Sequence, residues 1–132
     1  MLSIFLNHRL QEKGLPLTTK QWILLRILHE RDGLPQNELA FRTERDKASV
    51  VRLINNMEKN QLVFRKQDAD DKRINRIYLS DQGKVLFQKA LPVVKKSFSD
   101  VQQGLNPDEV AGLITVLQKI LNNICPKLLC TE

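Results

Sequence analysis

The sequence has little cysteine, histidine or glycine, and each shortage removes a class of protein. Two cysteines, Cys125 and Cys130, stand among 132 residues. That is no disulfide framework for a secreted domain, and with only His8 and His29 beside them it offers no zinc-ligand spacing. They read as free thiols in a reducing compartment. The five glycines form no phosphate-cradling loop, and no nucleophile stands beside a histidine, so the expectation is a protein that is not an enzyme and holds no metal or cofactor. No apolar run approaches the ~20 residues that a membrane helix needs. Met1 to Leu10 is apolar, but it carries His8 and Arg9 and lacks a basic leader and a small-residue cleavage site. It does not read as a signal peptide, and the expected location is the cytoplasm.

What is present is the composition of one globular domain, 42% apolar and 27% charged, with a net charge of +6. The placement of that charge says more than its size. Residues 1–40 hold five Lys/Arg against four Asp/Glu, residues 41–76 ten against six, and residues 77–132 six against five. The contributions are +1, +4 and +1, so two-thirds of the excess lies in about a quarter of the chain. A concentrated basic segment is the footprint of a surface that meets a polyanion.

Leu2, Phe5, Leu6 and Leu10 have helical spacing and stop before Gly14 and Pro16, which predicts a short first helix. Thr18 and Gln21 form a capping box for a second helix, Thr19 to about Arg31, whose Trp22, Ile23, Leu24, Leu25, Ile27 and Leu28 make it apolar nearly all round. Gly33 is placed to end it. A third, short helix fits Pro35 to about Arg42, with Leu39 and Ala40 inward. Asp46 caps a fourth helix, Lys47 to Lys59, in which Val50, Leu53, Ile54 and Met57 follow the i, i+3, i+4, i+7 rule. The period then changes to that of strands. Leu62 to Gln67 and Ile74 to Leu79, separated by the charged run Asp68 to Arg73, predict a hairpin. Ser80 caps a long fifth helix, Asp81 to about Gln103, with Leu86, Ala90, Val94, Phe98 and Val101 on one side and Pro92 inside it. The cap Asn106, followed by Pro107 and Glu109, starts a last helix rich in Leu and Ile.

Helices two to four followed by a hairpin make a winged helix-turn-helix, in a fold that is mainly α with a small β-hairpin wing. Its chemistry requires the fourth helix to pack an apolar stripe inward and present a polar face to a DNA major groove. Lys47, Ser49, Arg52 and Asn55 suit base edges or phosphates, and Arg52 can make a two-pronged contact to guanine. Lys72 and Arg73 lie at the hairpin tip, where an arginine can enter a narrow minor groove. Arg65, Lys66 and Arg76 stand on the strands, the last two expected as phosphate contacts or solubilising charges and not as base readers. The apolar rows of helices five and six are too long to be covered by so small a winged domain, which predicts dimerisation.

Residues 17–124 resemble the MarR family of bacterial transcriptional regulators. The resemblance is carried by Leu17-Thr-Thr-Lys-Gln-Trp22, Gln36-Asn-Glu-Leu-Ala40, Asp46-Lys-Ala-Ser-Val-Val-Arg-Leu-Ile54, and above all Asp68-Ala-Asp-Asp-Lys-Arg73 with Ile77-Tyr-Leu-Ser-Asp-Gln-Gly83. It implies a homodimer on a pseudo-palindromic operator, with residues 17–80 as the winged helix and residues 1–16 and 81–132 as dimerisation helices. On that reading Leu2, Phe5, Leu6, Val110, Leu113, Leu117, Ile120, Leu121 and Ile124 line the dimer interface. Lys47, Ala48, Ser49 and Arg52 face the major groove, and Asp71 holds Arg73 in its minor-groove pose. The resemblance further implies a small-molecule pocket where the second helix, with Trp22 and His29, meets the first and fifth.

The sequence departs from the family at several points. Asn60-Gln61 stands where a glycine usually closes the fourth helix, and Asn60 is expected to take the left-handed conformation there. Val51 replaces a usual Thr, Pro35 a usual Ser or Thr cap, and the first helix is short. The expected function is a sequence-specific DNA-binding regulator, a homodimeric repressor relieved by a small molecule. The alternative is a winged-helix module for protein contacts, which would line the fourth helix with acids or apolar residues.

Overall fold

A computed structural model describes residues 1–43 and 46–124. Cys125 and Cys130, the candidate thiols, lie outside the described residues. The chain forms two compact units, one from Met1 to Ser97 and one beginning at Phe98.

The first unit opens with α1 (Leu2–Glu12), which buries Leu6 and Leu10. Leu6, expected at a dimer interface, is 4% exposed and belongs to the core of its own chain. Phe5 is half-buried and Leu2 exposed. Helix α2 (Thr19–Glu30) starts at the predicted capping box: Gln21 N–H donates to the Thr18 hydroxyl, and Thr18 N–H donates to Gln21 Oε1. Such reciprocal bonds satisfy two donors that a helix start leaves open. The same end receives α1, because Thr19 N–H donates to Asn7 Oδ1 at 2.6 Å. Helix α2 supplies Trp22, Leu24, Leu25 and Leu28 to the core, whereas Ile23 is exposed.

A two-residue strand, β1 (Leu34–Pro35), comes next, and α3 (Gln36–Arg42) begins one residue later than the sequence predicts. Pro35 therefore lies on a strand and not in the first turn of a helix. Two residues are too few to show alternation, and proline, with no N–H, is tolerated where the strand is an edge. Helix α4 (Lys47–Lys59) follows, then β2 (Val63–Gln67) and β3 (Asn75–Leu79). The antiparallel sheet has the order β1-β3-β2, with Leu34 opposite Ile77 and Arg65 opposite Ile77 on the other side. Gly33, with φ +73°, makes this arrangement possible. Its N–H donates to the Ile77 carbonyl, and a Cβ there would stand 2.8 Å from the Tyr78 ring.

The end of α4 corrects the expectation for Asn60. Gln61, not Asn60, takes the left-handed conformation, with φ 62°. Leu62 N–H returns to the Met57 carbonyl and Gln61 N–H to that of Glu58. This is the Schellman pattern, in which the residue after the cap must be left-handed for both bonds to form.

Helix α5 (Asp81–Val101) is capped by Ser80, whose hydroxyl accepts from Gly83 N–H at 3.0 Å. Its inward residues are Gly83, Phe87, Ala90, Val94 and Ser97. Phe87, unremarked in the sequence, stacks on Trp22 at 5.8 Å and on His29 at 4.5 Å between ring centroids. Leu86 is only half-buried, and Phe98 and Val101 are exposed.

In the second unit, α6 (Pro107–Ile124) begins at the predicted cap, with Glu109 N–H donating to Asn106 Oδ1 and Asn106 N–H to Glu109 Oε1. None of its residues is buried: Leu113, Leu117, Ile120, Leu121 and Ile124 are each about half exposed or more, and Val110 is intermediate. Among the described residues no helix is long and apolar enough to cross a membrane.

Candidate nucleic-acid interface

The amphipathic stripe of α4 works as the spacing predicts: Val50, Ile54 and Met57 are buried, and Leu53 is half-buried. The opposite side exposes Lys47, Ala48, Arg52 and Asn55, with Ser49 half-exposed beside them. The first turn is organised by Asp46. One carboxylate oxygen accepts Ser49 N–H at 2.8 Å, the other accepts the Ser49 hydroxyl at 2.7 Å, and the Arg52 guanidinium donates to that hydroxyl at 3.2 Å. The Ser49 hydrogen bonds hold the Asp46 carboxyl below its ordinary range. A run of Asp46, Ser49 and Arg52 thus fixes how Arg52 leaves the helix.

The wing is organised by two further aspartates. Asp71 grips Arg73 with both oxygens, accepting from Nε and Nη2 at 3.1 Å each, and also accepts Arg73 N–H at 3.0 Å. The paired geometry is the strong one for guanidinium and carboxylate, yet the Arg73 side chain remains 90% exposed. Asp68 accepts from the backbone N–H groups of Asp70 and Asp71, which closes the tip, and from Arg76 Nε at 2.6 Å. Both carboxyls lie below their usual range, Asp68 chiefly through Arg76 and Asp71 chiefly through Arg73, and the two guanidinium groups are raised in turn. Lys66 and Lys72 are exposed.

Arg76, expected as a phosphate contact or a solubilising charge, is engaged within its own chain. Its Nη1 donates to the Gly33 carbonyl at 3.0 Å while Nε is taken by Asp68, so it faces the protein. It ties the far end of the hairpin to the turn after α2. Arg65 is engaged likewise: Nη1 donates to Glu58 Oε1 at 2.9 Å, Nε to Gln36 Oε1 at 3.1 Å, and its backbone N–H to Glu58 Oε2 at 3.1 Å. Gln21, besides capping α2, donates from Nε2 to Asn56 Oδ1 on α4 at 2.9 Å. Glu58, Asp68, Gln36 and Gln21 were not legible as site residues, because their partners lie across turns or on other elements.

The structure therefore assembles Lys47, Ala48, Ser49, Arg52 and Asn55 on one helix and Lys66, Asp71, Lys72 and Arg73 on one hairpin of the same unit. Trp22, by contrast, is core, and its Nε1 has no hydrogen-bond partner among the described residues. His29 lines a cleft of about 260 Å³ together with Leu28, Asp32, Leu79, Lys84 and Gln88. Among the described residues no cluster could hold a metal ion.

The sequence model of the MarR family matches residues 17–74. Among solved structures, the chain is similar to the transcriptional regulator SlyA, with a TM-score of 0.84 and 26% identity over 99% of this chain and 91% of that one. It is similar to a MarR family regulator from Silicibacter pomeroyi, with a TM-score of 0.74 and 28% identity over 93% and 82%. It is also similar to S. aureus MepR, solved as a complex with DNA, with a TM-score of 0.83 and 25% identity over 92% and 89%. The match runs from the turn before α2 to the wing loop, and the chain has the winged-helix fold of the regulators it is similar to.

Proposed function

We propose that this protein is a DNA-binding transcriptional regulator, a homodimeric repressor that binds a pseudo-palindromic operator and is released from it by a small molecule. One observation carries the reading. On a single unit, a capped helix offers Lys47, Ala48, Ser49, Arg52 and Asn55, and a hairpin tip offers an exposed arginine oriented by Asp71. A helix of that polarity suits a major groove and an arginine tip suits the adjacent minor groove. MepR, which shares the fold, has been solved on DNA.

Lys47, Lys66 and Lys72 serve as phosphate contacts in this reading, and Arg52 as the base reader. Pairing of two chains is supported by the exposed apolar row of α6. It would set two recognition helices one helical turn apart, about 34 Å. A ligand that alters that spacing releases the operator; the cleft beside His29 and Lys84 is the candidate place for it. A protein-contact module is disfavoured by the cations of α4.

The test is selection of bound duplexes from a random DNA pool, followed by titration at rising salt and measurement of mass in solution. A regulator of this kind enriches a two-fold motif, loses affinity steeply with salt through counterion release, and sediments as a dimer. Enrichment of no sequence, with no retention at low salt, would overturn it.

A further inference from the structure

Glu58 is the only acid in α4, and it stands where two local effects oppose it. It lies in the last turn, where the negative end of the helix dipole disfavours a carboxylate. It also lies on the helix that, under the reading above, meets a polyanion. Its structural use is to satisfy Arg65, whose side chain is 20% exposed. Both carboxylate oxygens are occupied, one by the guanidinium and one by the backbone N–H of Arg65 at the middle of β2, and Gln36 at the start of α3 accepts from Nε.

We infer that Arg65, held by Glu58 and Gln36, is a positioning residue that sets the wing against the recognition helix, and does not contact phosphate. The inference rests on the DNA-binding reading. The bonds join α3, the last turn of α4 and the middle of β2, and the tip arginine lies beyond the far end of that strand. From Arg65 to the end of β2 is about 7 Å at the usual strand rise, and the loop adds to it. A rotation of about 10° at that point therefore moves the tip by roughly 1–2 Å, enough to lose a hydrogen bond of ordinary length. Arg65 is 20% exposed, against 90% for the equally paired Arg73, and its Nε and Nη1 are turned to Gln36 and Glu58, so it presents little of its guanidinium to a phosphate.

The decisive variants are Arg65→Lys and Glu58→Ala, measured by fluorescence anisotropy on a duplex enriched by the wild-type protein, at several salt concentrations and at a temperature where circular dichroism shows both folded. Arg65→Lys keeps the charge and loses the forked geometry. The expected result is affinity about three- to tenfold lower with an unchanged salt slope, in line with loss of one ordinary hydrogen bond at the tip. Glu58→Ala raises the net charge by one and, through charge alone, would tighten binding; it is expected to weaken it. Lys66→Ala is the contrast, with a slope smaller by about 0.9. In either positioning variant the loss caused by Arg73→Ala should shrink, because the tip is already misplaced. Wild-type affinity in Arg65→Lys, tighter binding in Glu58→Ala, or an undiminished Arg73→Ala effect overturns the inference while leaving DNA binding in place. Failure of the wild-type protein to hold any duplex overturns both.

Discussion

Gly83 lies so close to Leu62 that a Cβ on residue 83 would stand 2.1 Å from the Leu62 carbonyl oxygen. That oxygen also accepts Ser80 N–H at 3.1 Å, and the Ser80 hydroxyl, which caps α5 through Gly83 N–H, donates to the Gln61 carbonyl. The end of α4 and the start of α5 are thereby joined through backbone atoms, which cannot move aside as a flexible side chain can.

Gly83→Ala is therefore expected to destabilise the protein, although alanine gains about 1 kcal/mol in helix propensity over glycine. Forced overlap with backbone typically costs about 1–3 kcal/mol and must exceed that gain here. Urea denaturation should show a lower midpoint at unchanged slope. An equal or higher midpoint would contradict the close approach.

Gln61→Gly should do the opposite. A non-glycine residue with positive φ carries a penalty of about 1–2 kcal/mol, and glycine returns part of it as entropy lost on folding. The expected net gain is about 0.5–1 kcal/mol in thermal or chemical denaturation, with DNA affinity unchanged. A loss of stability would mean that the Gln61 side chain contributes something that its backbone geometry does not reveal.

Arg73→Ala should separate binding from stability. The side chain is 90% exposed, so its removal should leave the melting temperature nearly as it was, while operator affinity falls by about 1–3 kcal/mol. Asp71→Asn, which keeps the shape and weakens the grip on the guanidinium, should give a smaller loss. Unchanged affinity in Arg73→Ala would remove the wing tip from the interface.

The pH dependence follows from the aspartates. Asp46, Asp68 and Asp71 are all lowered in the folded protein, so each favours folding above the unfolded-state value of about 3.9, and that contribution fades as pH falls through the folded value. Between about pH 5 and pH 8 these three groups make stability and wing order flat with pH. Below about pH 4 the wing should loosen first, visible as faster amide exchange at residues 68–76 than in α2. An acid-insensitive wing with a pH-sensitive core would contradict these pairings.

Features written within one helical turn can be read directly from the residues. The capping boxes at Thr18–Gln21 and Asn106–Glu109, the Asp46 cap and the inward stripe of α4 all depend on residues three or four apart, and all lie where the spacing puts them. The Asp71–Arg73 pair, which the family resemblance implied, is two residues apart and so also local. Which cations face outward depends instead on contacts between distant segments. Arg76 reaches a carbonyl 43 residues away, Arg65 a glutamine 29 residues away, and Gly83 meets Leu62 across the whole hairpin. The same holds for Pro35 on an edge strand, Leu6 in the core and Phe87 against Trp22. Periodicity reports how a helix or strand divides its own faces. It carries nothing about which distant surface each face will meet, and that meeting decides whether a charge is left for DNA or taken up in holding the fold.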